Sequence, residues 1–155
     1  MTGLRVNFPV MTRLVLDDFV PYRLSVTSNL VSDAIAQTYE ALFGLTIPEW
    51  RVIAVVAEES GMNQAAVGVR TRMDKVTVSR TAVALVGRGL LTRGAHDDRR
   101  SHRLTLTPAG QDLYAQVAPK ALELEQRILA QFDPAEVRQF VSMLHRLEVV
   151  ARGLT

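Results

Sequence analysis

Nine basic side chains crowd the segment from Met62 to Thr107: Arg70, Arg72, Lys75, Arg80, Arg88, Arg93, Arg99, Arg100 and Arg103. Only Asp74, Asp97 and Asp98 oppose them there, a surplus of six positive charges, while the rest of the chain holds nine bases and thirteen acids. Guanidinium groups are planar forks that match phosphate oxygens and the major-groove edge of guanine. The chemistry indicated is recognition of a polyanion. A GC-rich genome would explain why the chain has only two Lys, but not why its Arg residues cluster. Bond-making chemistry has no comparable support. There is no Gly-rich phosphate loop, HExxH pair or serine elbow, and the carboxylate pairs Asp17/Asp18, Glu58/Glu59 and Asp97/Asp98 are sequence neighbours, explained by capping and solvation. The absence of Cys excludes disulfides, thiolate metal sites and cysteine nucleophiles. The three His (His96, His102, His145) are scattered and read as solvated, so neither a metal nor a cofactor is expected.

Something must hold those charges in register. The chain has 155 residues, a formal net charge of +2, 48% hydrophobic and 22% charged residues, which suits one globular domain with a sizeable core. No apolar run reaches the length of a membrane span. Asn7, Pro9 and Arg13 interrupt the N-terminal stretch where a signal peptide would need a continuous apolar core, so a cytoplasmic protein is expected.

Residues 1–15 read as an arm. From Leu16 to Phe43 the apolar positions Phe19, Leu24, Val31, Ile35, Tyr39 and Leu42 recur at helical spacing, with Gly44 as the stop. Thr46 to Glu49 forms a capping box for a helix ending near Gly61. Asn63 caps a short helix to about Thr71, and Asp74 caps another to Arg88. Three residues, Arg72 to Asp74, join them, which is helix-turn-helix spacing. On the second of these helices Val78, Ala82, Leu85 and Val86 make one stripe. Val76, Thr77, Arg80, Ala84 and Gly87 make the opposite one, whose small and hydrogen-bonding side chains suit a major groove. Leu90–Arg93 and His102–Thr107 read as a β-hairpin with a charged tip. Thr107 and Pro108 open a long helix to about Ala130, in which Pro119 predicts a kink, and Asp133 to Glu136 caps a last helix.

This order is a winged helix flanked by terminal helices. The segments Met73–Arg80 (MDKVTVSR), Arg88–Leu91 (RGLL), Asp97–Gly110 (DDRRSHRLTLTPAG) and Leu45–Val56 (LTIPEWRVIAVV) resemble the MarR family of bacterial transcriptional regulators from about Leu16 onward. The resemblance implies a mainly α fold with a small β-hairpin wing. A winged helix-turn-helix lobe (45–107) is flanked by an N-terminal arm and dimerisation helix (1–44) and C-terminal dimerisation helices (108–155). It also implies an obligate homodimer and a small, often aromatic or anionic effector bound between the dimer helices and the lobes. The sequence departs from the family at the wing, where Ala95-His96 replaces an Asp-Pro, and at the interhelical turn, where Arg72 replaces a common Gly. Without Cys the chain lies outside the peroxide-sensing branch.

The expected partner is double-stranded DNA carrying a pseudo-palindrome. Thr77, Ser79 and Arg80, beside Val76, face the major groove or its flanking phosphates, and Arg80 is the candidate for a guanine edge. Lys75 and Ser79 position the backbone, and Asp74 is a cap. Arg100 enters the minor groove with Asp98 orienting it. Arg99 and Arg103 contact phosphate, and Arg72 and Arg93 are further candidates. Asn63 either caps its helix or helps seat a phosphate at the helix N-terminus. Tyr22, Arg23, Ser28, Tyr39 and Trp50 are the candidate effector contacts, with core or dimer packing as the competing role for the aromatics. The function expected is a ligand-released repressor. The alternatives are a winged-helix module for protein or small-molecule binding with little DNA affinity, a transcriptional activator, and a metal-dependent regulator.

Overall fold

Each helix begins where a side chain can take up the free N–H groups of its first turn. A computed structural model of the chain describes residues 13–94 and 103–155. The described residues form two units, one ending at Ile47 and the other running from Pro48 to Thr155.

In the first unit a 3-10 turn at Leu16–Asp18 leads into α1, Val20–Phe43. Gly44 ends α1 in the left-handed conformation at φ 61°, as its residue type predicts. Tyr39 is the one buried residue of α1. Phe19, Val20, Leu24, Leu30 and Leu42 are exposed, so α1 carries apolar surface that its own chain leaves uncovered.

The second unit contains α2 (Ile47–Glu58, entering from the first), β1 (Met62–Asn63), α3 (Gln64–Thr71), α4 (Lys75–Gly87), β2 (Leu91–Gly94), β3 (Arg103–Leu106), α5 (Pro108–Leu129) and α6 (Pro134–Gly153). Val52, Ile53 and Val56 of α2, Val67 of α3, Val78, Ala82 and Leu85 of α4, Leu91, Leu104 and Val117 are its buried core. Each such aliphatic side chain larger than Ala contributes about 1.5–3 kcal/mol by leaving water. The sheet is antiparallel in the order β1-β3-β2. Leu104 faces Met62 on one side and Arg93 on the other.

The caps expected at Asn63, Asp74, Thr107 and Asp133 form. The Asn63 side chain accepts from the Ala66 N–H at 2.8 Å, and that of Asp74 from the Thr77 N–H at 2.8 Å. Glu136 accepts from the Asp133 N–H at 2.9 Å. At the start of α5, Thr107 Oγ1 accepts from the Gly110 N–H at 3.0 Å and donates to the Gly89 carbonyl at 2.6 Å, while the Thr107 N–H donates to the Leu90 carbonyl at 3.2 Å. One residue thereby ties the exit of α4 to the entry of α5. Helix α5 continues through Pro119.

Three details differ from the sequence expectation, at β1, at the end of α2 and on the α4 stripe. Strand β1 was not anticipated: two residues have no periodicity, and the strand exists because β3 pairs with it. Helix α2 ends at Glu58, short of Gly61. Val86 is exposed, and Thr81 takes the core position instead, its hydroxyl donating to the Thr77 carbonyl at 2.7 Å. That bond offsets the cost of burying the hydroxyl. Arg72 adopts the left-handed conformation at φ 58°, ψ 22°, which costs an L-residue with a β-carbon about 1 kcal/mol or more.

Candidate nucleic-acid interface

Helices α3 and α4 and the three-stranded sheet position the basic side chains, and the structure sorts those it describes into two groups. Arg70 pairs with Glu58 and lies 3.8 Å from Glu59 at the end of α2. Arg88 pairs with Glu49 at 3.3 Å. These two charges are compensated by acids outside the 62–107 segment, which a count confined to that segment misses. Arg72, Lys75, Arg80, Arg93 and Arg103 have no carboxylate partner among the described residues.

Helix α4 presents its outer side as the stripe pattern predicts. Lys75, Val76 and Arg80 are exposed, and Thr77 and Ser79 half-buried. Val76 keeps 57% of its surface in water. The Thr77 hydroxyl donates to the Asp74 carboxylate at 2.7 Å, so its proton is committed to the cap and only its lone pairs are open to a ligand. The same hydroxyl, with the Thr77 N–H, holds the Asp74 carboxyl below the usual carboxylate range. A lowered folded-state value stabilises the fold above the ordinary carboxylate pKa and is lost as pH falls through the lowered one. Melting temperatures of wild type and Asp74→Asn should therefore converge on acidification; a gap that persists at low pH would show that the carboxylate charge is not what stabilises the cap.

Asn63 is the cap of α3. Next to it, with the Gln64 amide turned so that its oxygen faces Arg93, as the donors there require, that oxygen accepts a fork from Arg93, at 3.2 Å from Nε and 2.8 Å from Nη2. From the sequence Gln64 is, with Asn63, only the start of its helix; the role of its side chain is not legible there, because its partner lies on another element 29 positions along. The fork joins the sheet to the start of α3. Nη1 of Arg103 lies 3.8 Å from where a β-carbon on Gly61 would stand. Asn63, Gln64, Arg72, Asp74, Lys75 and Val78 help line a groove of about 740 Å³ between α3 and α4. Asp98, Arg99 and Arg100, with His96 and His102, lie outside the described residues.

The candidate effector contacts are more scattered. Tyr22, Arg23 and Ser28 are exposed on the first half of α1. Tyr39 is buried near its other end, and burial pushes its phenol pKa up. At 1.5 Å per residue Tyr22 and Tyr39 stand about 25 Å apart along α1, so one small ligand does not touch both within a single chain. In the second unit Trp50 stacks on Tyr114 of α5, with ring centroids 5.8 Å apart and planes at 16°. Tyr114 also lines a cleft of about 210 Å³ with Val56, Ala57, Ser60, Thr105 and Gln111. The sequence offered no signal for Tyr114 beyond its place on the long helix.

A model of the MarR family matches residues 43–101. YhjH of Bacillus subtilis (strain 168), an uncharacterized HTH-type transcriptional regulator, is 32% identical over 90 residues, 57% of this chain and about half (51%) of YhjH. Among solved structures, a MarR/EmrR family transcriptional regulator from Acinetobacter sp. ADP1 is 26% identical. It covers 90% of this chain and 99% of its own, with a TM-score of 0.83. The PcaV transcriptional regulator of Streptomyces coelicolor, solved in complex with its natural ligand, shares the fold at 22% identity. It covers 91% of this chain and 99% of its own, with a TM-score of 0.76.

Proposed function

We propose, from the premise that the chain belongs to the MarR family of transcriptional regulators, that it is a cytoplasmic, homodimeric repressor released from a pseudo-palindromic operator by a small aromatic or anionic ligand. The observation that carries DNA binding is the sorting of charges. Arg72, Lys75, Arg80, Arg93 and Arg103 have no carboxylate partner among the described residues around α3, α4 and the sheet, while Arg70 and Arg88 are paired with acids. In this reading α4 lies in a major groove. Arg80 meets a guanine edge, exposed Val76 a thymine methyl, and Ser79 and the lone pairs of Thr77 the neighbouring polar edges or phosphates. Lys75, Arg72, Arg93 and Arg103 contact the backbone, with Asn63 holding the start of α3. Asp98, Arg99 and Arg100 extend the contact at the wing.

Dimerisation is supported by apolar surface without cover. Helix α6 buries none of its residues in its own chain, and Phe140, Val141, Met143, Leu147, Val149 and Val150 are exposed, more than a lone chain ordinarily shows. The domain division proposed is 1–44 and 108–155 for the dimer and 45–107 for the DNA. Ligand release is supported more thinly: PcaV, with the same fold, binds a natural ligand. Here Tyr22, Arg23 and Ser28 from one region of α1, and Tyr39 or Trp50 from others, are the proposed contacts. The ligand must favour the lobe spacing that does not fit DNA.

Competition binding on the promoter fragment beside the coding region tests the groove assignment. Arg80→Ala should shrink the preference for operator over scrambled duplex about tenfold or more, the worth of one bidentate guanine contact. Undiminished discrimination would remove Arg80 from the base-reading role. Metabolites of the adjacent pathway, added to the same complex, identify the releasing ligand.

A further inference from the structure

We propose that Arg72 and Lys75 form a seat for one backbone phosphate of duplex DNA in the α3–α4 groove, separate from the base-reading stripe, and that the left-handed conformation of Arg72 is retained for this contact. The proposal deepens the DNA reading above and rests on it.

Arg72 is the one non-glycine residue with positive φ among the described residues. That conformation favours Gly, which has no β-carbon to clash. Nothing local favours Arg there. The turn is held by its neighbours: the Thr71 hydroxyl donates to the Val67 carbonyl at 2.7 Å and accepts from the Met73 N–H at 3.4 Å, and Asp74 caps α4. Arg72 itself is exposed and has no ion pair among the described residues. A strained backbone bearing an unpaired side chain is where a functional role is the reasonable inference.

The surroundings name the ligand class. Arg72 and Lys75 border the same groove of about 740 Å³, whose single carboxylate, Asp74, is already engaged by the Thr77 hydroxyl and N–H. Among its described lining residues the groove carries two cations and the one Asp74 carboxylate, a net positive charge, together with the amide side chains of Asn63 and Gln64. A phosphodiester fits this set. Being sequence-independent, such a contact would set the register of α4 on the duplex and leave base choice to Arg80.

The test compares the full chain with Arg72→Gly and Arg72→Lys in melting and in duplex binding across a salt series. Arg72→Gly should melt about 2 °C higher, because the strain is gone. It should also bind specific and scrambled duplexes equally more weakly, by severalfold. Its slope of log affinity against log salt should be shallower by about 1 for each contact removed. Arg72→Lys should keep most of the affinity and slope and gain no stability. A gain in stability with unchanged affinity and slope would overturn the phosphate seat. A loss of stability in Arg72→Gly would overturn the strain argument. If inorganic phosphate raises the melting temperature of wild type but not of Arg72→Gly, the groove takes a free anion and the duplex assignment falls. A wild-type protein without salt-sensitive duplex binding would overturn the DNA reading itself, and this seat with it.

Discussion

Gly110→Ala is expected to destabilise the fold by about 3 kcal/mol, the upper end for overpacking a tight contact. A β-carbon on Gly110 would stand 2.1 Å from the Leu90 carbonyl oxygen, 3.1 Å from its carbon and 3.3 Å from Leu106 Cδ2. The carbonyl cannot step aside cheaply. It accepts the Thr107 N–H, and the Leu90 N–H is itself bonded to the Leu85 carbonyl at 3.0 Å. Relief therefore requires moving the end of α4, the start of α5, or both. A helix normally gains up to about 1 kcal/mol when an internal Gly becomes Ala, so a loss here would report the close approach alone. For a chain of this size each kcal/mol moves the midpoint by roughly 2–4 °C, which puts the expected fall near 10 °C. Thermal melts at matched protein concentration measure it, since the midpoint of the proposed dimer would depend on concentration. A change under about 2 °C would mean that the junction yields where the geometry says it is rigid.

The second large effect is on DNA affinity. Raising monovalent salt from 50 to 200 mM should weaken binding to the promoter fragment by about a thousandfold or more, as for a protein contacting six or more phosphates. Five cations per subunit stand uncompensated among the described residues, so a two-subunit complex has charge enough to reach that number. Arg70 and Arg88 should add little to the slope, because Glu58 and Glu49 neutralise them. A fluorescence-anisotropy titration across that range decides the matter. A flat response would mean that the basic segment does not meet phosphate, and would favour a module for protein or small-molecule binding.

The helix starts were legible because capping is local: Asn63, Asp74, Thr107 and Asp133 each act on a group within about three positions. Gly44 was legible for the same reason, since the left-handed stop depends on that residue alone. What escaped notice depends on partners distant in sequence. Strand β1 has meaning only opposite β3. The Gln64 side chain matters through Arg93, and Tyr114 through Trp50. The charge count overstated the basic face because the acids that neutralise Arg70 and Arg88 lie on α2, outside the segment that was counted. Thr81 took a core position expected of Val86 because a hydroxyl that bonds its own helix can be buried at little cost. The Gly of the LTPAG segment was read as part of a family motif. Its physical basis, the approach of Gly110 to the Leu90 carbonyl, needed three dimensions to see.

Thr107 holds two consecutive carbonyls, those of Gly89 and Leu90, from the first turn of α5. A hinge at that point would need a free torsion, and both ends of the joint are bonded. Bonded in this way, the joint would act as a crank, delivering a rotation of α5 to α4 with little slack. With α4 about 20 Å long, a turn of about 5° at the joint displaces its far end by nearly 2 Å, over half the rise of a DNA base step. If α4 reads DNA as proposed, a shift on that scale would take it out of register with its half-site.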